Sequence, residues 1–211
     1  MTELVFILDR SGSMNGLEQD TIGGFNSMLK KQRLESSEAY VTTVLFDNRV
    51  EFLHDRLPMQ QVPSMTEKDY TVRGSTALLD AVGSTIKHIA RIHKYAHPDH
   101  KPTSTLFVII TDGMENASRQ YTYDKVKEMI THEQEKYGWE FLFLGANIDA
   151  AAEGARFGIP ADHSVTYKCD AVGTALNYEV LSDAISDARA CRPMAANWSE
   201  RIKSDVKKRG K

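Results

Sequence analysis

Asp9, Ser11 and Ser13 occupy alternate positions in the segment Asp9-Arg10-Ser11-Gly12-Ser13, directly after an apolar run. Thr76 closes Gly74-Ser75-Thr76, just ahead of a helical pattern, and Asp112 lies in Thr111-Asp112-Gly113, after another apolar run. Two carboxylates and three neutral hydroxyls form an all-oxygen donor set. Such a set suits a hard cation, and Mg²⁺ prefers near-octahedral oxygen geometry with some waters retained. Mn²⁺ and Ca²⁺ are the other ions it admits. Glycines beside the donors let the loops turn tightly. Each residue also has an ordinary role. Asp9 or Ser13 could cap a helix starting near Asn15, Thr76 could cap the next helix, and Asp112 could stabilise a turn. The five together point to a metal, because capping does not require three distant loops to meet.

The elements that must position these loops are legible from apolar patterning. Leu4–Leu8, Leu106–Ile110 and Phe141–Leu144 are continuous apolar runs, and Val41–Phe46 is a further strand-like run. Continuous runs mark strands covered on both faces, as in parallel sheets flanked by helices. Between them, Leu17, Thr21, Phe25, Met28 and Leu29 share one helical face, as do Leu78, Ala81, Val82, Thr85 and Ile89. Val126, Met129, Ile130 and Tyr137 form a third stripe, spoiled by Glu133. Alternating strands and helices predict an α/β doubly wound, Rossmann-like domain with a mostly parallel sheet and helices on both faces. One connection, Phe46-Asp47-Asn48-Arg49-Val50, is too short for a parallel crossover. It predicts a hairpin and an antiparallel edge strand near Val50–Leu53. In such sheets ligands bind beyond the carboxyl ends of the strands, where all three loops would converge.

At this point the chain resembles the von Willebrand factor type A (VWA) family. The pattern Asp9-x-Ser11-x-Ser13 after a strand, a Gly-x-Thr loop opening a helix and a Thr-Asp-Gly after a later strand is similar to that family's metal-ion-dependent adhesion site (MIDAS). The resemblance runs from Glu3 to about Ala190. It implies that Ser11 and Ser13 coordinate through their hydroxyls. Asp9, Thr76 and Asp112 would bind the ion directly or through water. The remaining position would take an Asp or Glu carboxylate from a partner protein. In bacteria and in intracellular complexes, members of the family serve as assembly or regulatory subunits, some beside chelatase-type ATPases or in stress-response operons.

Two other functions remain open on the same residues. A metal-dependent phosphohydrolase or nuclease would use the ion to orient phosphate and activate water. An inert α/β domain would leave the site empty. The chain has no GxxxxGK, GxGxxG, HExxH or GxSxG segment. The Asp9 loop departs from aspartyl-phosphate hydrolases, which need a second acid where Ser11 stands. The reading is therefore a protein-interaction module with no catalytic motif.

The rest of the sequence is less informative. A net charge of −3 gives no case for nucleic-acid binding. Cys169 and Cys191 match no zinc or redox spacing, and no run reaches membrane-spanning length. The expectation is a cytoplasmic chain with reduced thiols and no membrane partner. His88, His93, His97 and His100 cluster near a helix end closed by Pro98, where His93 and His97 have a metal-pair spacing but solvated histidines are the expectation. Arg10 could face a partner's acid or solvent, Asp80 could support Thr76 or lie on the surface, and Glu115 and Asn116 read as loop residues bordering the site. Asp149 and Gly158 bound a helix, Ser164–Tyr167 is a short strand, and a long helix is expected over Thr174–Ala190. Residues 1–190 are thus assigned to the VWA-like domain. Residues 191–211 are assigned to a basic tail, helical or frayed.

Overall fold

The apolar runs form the strands of one sheet in the computed structural model, which describes residues 1–210. They are β1 (Thr2–Asp9), β2 (Ala39–Phe46), β3 (Val50–Pro58), β4 (Ser104–Thr111), β5 (Glu140–Ala146) and β6 (Ser164–Tyr167). The helices are α1 (Glu18–Gln32), α2 (Leu78–Tyr95), α3 (Tyr123–Tyr137), α4 (Ala150–Phe157), α5 (Ala171–Arg189) and α6 (Glu200–Arg209). The sheet order is β3-β2-β1-β4-β5-β6. All neighbours are parallel except β2 and β3, the hairpin pair. The predicted doubly wound sheet with one antiparallel edge strand is therefore what the chain adopts.

Side chains alternate across a strand, so β1 feeds two cores. Leu4, Phe6 and Leu8 pack with Phe25 and Met28 of α1 and Tyr178, Leu181 and Ile185 of α5. Val5 and Ile7 pack on the other face with Leu78, Val82 and Ile86 of α2, Val126 and Ile130 of α3, and Phe157 of α4. The middle residues of β1, β4 and β5 are apolar in succession because both faces are covered.

Three boundaries differ from the sequence reading. α1 starts at Glu18 because residues 12–14 form a separate 3-10 turn. α5 starts at Ala171, earlier than Thr174, because Asp170 caps it and accepts from the Gly173 N–H at 2.8 Å. The basic C-terminal end is helix α6, and its inner side is packed. Trp198 and Ile202 are 9 % and 1 % exposed and join the core of α1 and α5. Two apolar anchors among many charges are too few to show as a periodic stripe. Among the described residues no helix is long and apolar enough to cross a membrane.

His54 on β3 is buried with its Nδ1 3.0 Å from Thr43 Oγ1. Burial holds its ring below the usual histidine value, Asp69 opposes this and Arg33 reinforces it. With the folded pKa below the unfolded one, the contribution to stability is full above about pH 6.5 and is lost as pH falls through the folded value. His54→Gln should flatten the decline in urea midpoint between pH 7 and pH 5. An unchanged decline would remove His54 as its source.

Candidate metal centre

β1 and β4 lie side by side with Leu8 opposite Ile110, so Asp9 and Thr111 leave the sheet together. The chain runs from β1 outward to β2 on one side, while β4 starts the other half of the sheet. This is the topological switch point at which α/β sheets open a crevice. The loop containing Thr76 is strapped over it. Gly12 N donates to Gly74 O at 3.1 Å, Arg73 N to Arg10 O at 2.9 Å and Ala77 N to Asp47 O at 2.8 Å. Gly74 has φ +69°, and an added Cβ would stand 2.7 Å from Asn48 Oδ1. Only glycine fits there without strain.

The donor side chains then converge. Ser13 Oγ donates to Asp112 Oδ1, and Ser11 Oγ lies 3.0 Å from Ser13 Oγ. Asp9 sits beneath them. Its Oδ1 accepts from Ser11 N at 2.7 Å and its Oδ2 from Thr111 Oγ1 at 2.6 Å. A Cβ placed on Gly113 would lie 3.3 Å from Thr76 Oγ1 and 3.5 Å from Ser13 Oγ. The missing side chain at Gly113 thus leaves room where hydroxyls from two loops meet. Asp9, Ser11, Thr76 and Asp112 are buried, whereas Gly12 and Ser13 are exposed, so the cluster opens to solvent at one point. None of these side chains caps a helix: the N-cap residues of α1 and α2 are Leu17 and Ala77, with no side-chain cap bond, and the turn at residues 12–14 has none either.

The electrostatics fit a cation. Burial pushes the Asp9 carboxyl up, bonds from Ser11 and Thr111 pull it down, and the Asp112 charge adds to the rise. A positive charge between the two buried carboxylates would relieve the repulsion that disfavours ionisation of Asp9. Arg10, the cation of the first loop, does not supply it. Its Nε donates to Asp47 Oδ2 at 3.1 Å and its NH2 group to Glu51 Oε2 at 2.6 Å, away from the carboxylates. The donor chemistry, the opposed carboxylates and the space at Gly113 all suit a hard divalent ion.

Several neighbours were not legible as site residues. Asn116 is more than a loop residue: its Oδ1 accepts from Thr76 N at 3.0 Å, and its N–H donates to Thr76 O at 3.0 Å. It therefore fixes the Thr76 backbone against the Asp112 loop. Asn116→Ala should weaken divalent-ion affinity by about 10- to 100-fold, the usual effect of losing a group that orients a ligand. A metal titration with unchanged affinity would show that Thr76 needs no such brace. Cys169 matches no metal or redox spacing in the sequence, yet its Sγ donates to Asp112 Oδ2 at 3.5 Å. Burial, then Asp112, pushes its thiol up to about 12. Its place two residues after β6, at the carboxyl end of the sheet, was the available clue.

Asp80 and Glu115 serve the framework. Asp80 accepts from the N–H groups of Arg119, Gln120 and Tyr121, and Glu115 from those of Leu79, Ala117 and Ser118. The four histidines share no ligand site. His88 pairs with Asp55, His93 with Glu3 and His97 with Asp99. Among the described residues no three His, Cys, Asp or Glu side chains gather at one point.

No family sequence model and no curated protein sequence matches the chain. Solved structures do. Proximal thread matrix protein 1 from the mussel byssus, in a form with a zinc-occupied MIDAS motif, superposes with a TM-score of 0.58 at 13% identity, covering 88% of this chain and 46% of that one. A von Willebrand factor type A protein from Catenulispora acidiphila superposes at 0.56 with 14% identity, covering 87% and 42%. The chain has the VWA fold. The ArnB paralog VWA2 from Sulfolobus acidocaldarius extends the comparison, at 0.52 and 16% identity over 87% of this chain and 44% of that one. The chain thus spans less than half the length of each of these proteins. In VWA terms, the Asp9, Thr76 and Asp112 loops are those at the carboxyl edge of the sheet, and the hairpin at Asp47 leads into the antiparallel edge strand.

Proposed function

We propose that this VWA domain is a divalent-cation-dependent protein-recognition module. Asp9, Ser11, Ser13, Thr76 and Asp112 hold the ion, Mg²⁺ by its suitability to oxygen donors, with Mn²⁺, Ca²⁺ or Zn²⁺ as substitutes. The partner supplies an Asp or Glu carboxylate. The observation that carries this reading is the meeting of three loops. Ser13 reaches Asp112 across 99 residues of sequence, with Ser11 and Thr76 hydroxyls beside it. The zinc-occupied MIDAS of the mussel protein supports an ion at such a site. With one of the two carboxylates held off by a water, a single carboxylate and neutral hydroxyls leave a divalent ion net positive toward the exposed Ser13 side, and a bound cation dominates its local field. A partner carboxylate is the natural counter-charge.

The test is binding of the full chain to a peptide array in which each Asp or Glu peptide has its Asn or Gln twin. Binding should require Mg²⁺ or Mn²⁺ and should fall at least tenfold with the amide twins, with EDTA or with Asp112→Ala. Binding indifferent to EDTA and to Asp112→Ala would overturn the reading. Metal-dependent hydrolysis of generic phosphoesters, abolished by Asp9→Ala, would replace it with the phosphohydrolase or nuclease alternative.

A further inference from the structure

At the opposite end of the sheet from the metal loops, a groove of about 870 Å³ opens between the C-terminal ends of α2 and α3. Its lining includes Lys87, Arg91, Lys94, Lys101 and Lys136, and Glu133 is its one carboxylate. None of the five cations is ion-paired among the described residues. Lys94 and Lys136 instead lie over the rings of Tyr95 and Tyr137, at 5.5 and 5.2 Å from the centroids. Both tyrosines are exposed, at 74 % and 58 %. Trp139 forms part of the wall, 5 % exposed, stacked on Phe107 and edge-on to His93.

Surface lysines alone describe a solvated face. Glu133 distinguishes this groove. It is the residue that interrupts the apolar stripe of α3, it is 6 % exposed, and its Oε2 is buried with no hydrogen-bond partner. A buried carboxylate oxygen without a donor is costly and is rarely left so. Burial raises this carboxyl, and His132, His93 and Lys136 around it pull it back down without bonding to it.

A ligand that satisfies the groove must therefore carry three features. It needs negative charge for the cationic rim, a flat face for the aromatic walls, and N–H donors for an acceptor-only carboxylate. Inorganic anions satisfy only the first. An acidic peptide would bring further carboxylates toward Glu133. Among nucleobases, guanine alone presents two N–H groups side by side, N1–H and N2–H, matched to the two oxygens of one carboxylate. We propose that this groove binds a guanine nucleotide, with the base edge on Glu133, the ring among Trp139, Tyr95 and Tyr137, and the phosphates among the lysines and Arg91.

The experiment is titration of the full chain with GDP, ADP, guanosine and pyrophosphate, followed by calorimetry and tryptophan fluorescence. EDTA and Asp9→Ala keep the metal centre out of the measurement, so the outcome is independent of the proposed adhesion function. GDP should bind saturably and at least tenfold more tightly than ADP. Glu133→Gln, which removes one acceptor and presents a donor in its place, should erase that preference and leave pyrophosphate binding unchanged. Lys94→Ala with Lys136→Ala, both at the exposed rim, should weaken GDP while sparing guanosine, which covers the case of a Glu133 variant that fails to fold. Equal affinity for GDP, ADP and pyrophosphate would mean a basic rim without a base site. That result, or no binding of any probe, would overturn the proposal.

Discussion

Millimolar Mg²⁺ or Mn²⁺ added to EDTA-treated protein should raise its thermal midpoint by roughly 5–10 °C. An ion that binds only the folded state stabilises it by about 2.7 kcal/mol at a hundredfold excess over its dissociation constant. In a domain of this size about 1 kcal/mol corresponds to roughly 2–4 °C. Asp9→Ala and Asp112→Ala should abolish the rise. The electrostatics add a sign test. The Asp9 carboxyl is raised by burial, so without an ion its contribution is fully present below the unfolded carboxylate value and is lost as pH rises through the folded one. In EDTA at neutral pH, Asp9→Asn should therefore match or exceed the wild type in stability. With metal the order should reverse, because only the wild type gains. A wild type indifferent to metal across the millimolar range would leave the five oxygens without an ion to hold, and the recognition reading would fall with it.

Asp47→Ala should be among the most damaging single substitutions outside the two cores, costing about 3–5 kcal/mol, the range for breaking a buried ion pair by removing one partner. Asp47 is fully buried. Its Oδ2 accepts from Arg10 Nε at 3.1 Å and Arg73 Nε at 2.8 Å, and its Oδ1 from Arg49 N at 2.8 Å. Arg10 is itself 2 % exposed, so removal of Asp47 leaves a buried guanidinium with only Glu51 near the surface to pair it. Urea unfolding measures the loss. Arg10→Met on the Asp47→Ala background should recover part of it by removing the stranded charge. A cost below about 1 kcal/mol would show that water reaches Arg10 and screens it as at an exposed pair. The same substitution should lower metal affinity, since the Asp47 carboxylate anchors both Arg10 and Arg73, whose backbones bond each other where the Asp9 and Thr76 loops meet.

Sequence patterning made the parallel strands and the hairpin legible because both rest on strong local rules. A run of five apolar residues must be covered on both faces, and a turn of three residues between strand-like runs cannot cross over. The approach of the Asp9, Thr76 and Asp112 loops followed from strand order. The supports did not. Asn116 and Cys169 act through contacts that span 40 and 57 residues, and their types give no sign of which neighbour they will meet. Asp47 read only as a turn residue, since nothing local reveals that two arginines share its carboxylate. Asp170 gives no sequence signal as a cap because its bond to Gly173 precedes the periodic part of α5. Glu133 was visible only as a blemish in a stripe, and its meaning depends on the lysines that the fold gathers around it.

The two margins of the sheet are closed in different ways. On one side α6 lies along β6, held by Trp198 Nε1 donating to Asp162 O at 2.7 Å and by Arg209 bonding to Asp170 at 2.6 Å. On the other, β3 loses regular register against β2 between Val41 and Val44, and Arg56 adopts φ +49°. An irregular, charged border and a helix-covered one are both poor templates for an incoming strand. Strand addition, a recurring way for an extended peptide to dock on a sheet edge, thus finds no ready seat here. The fold resists polymerising through its own margins.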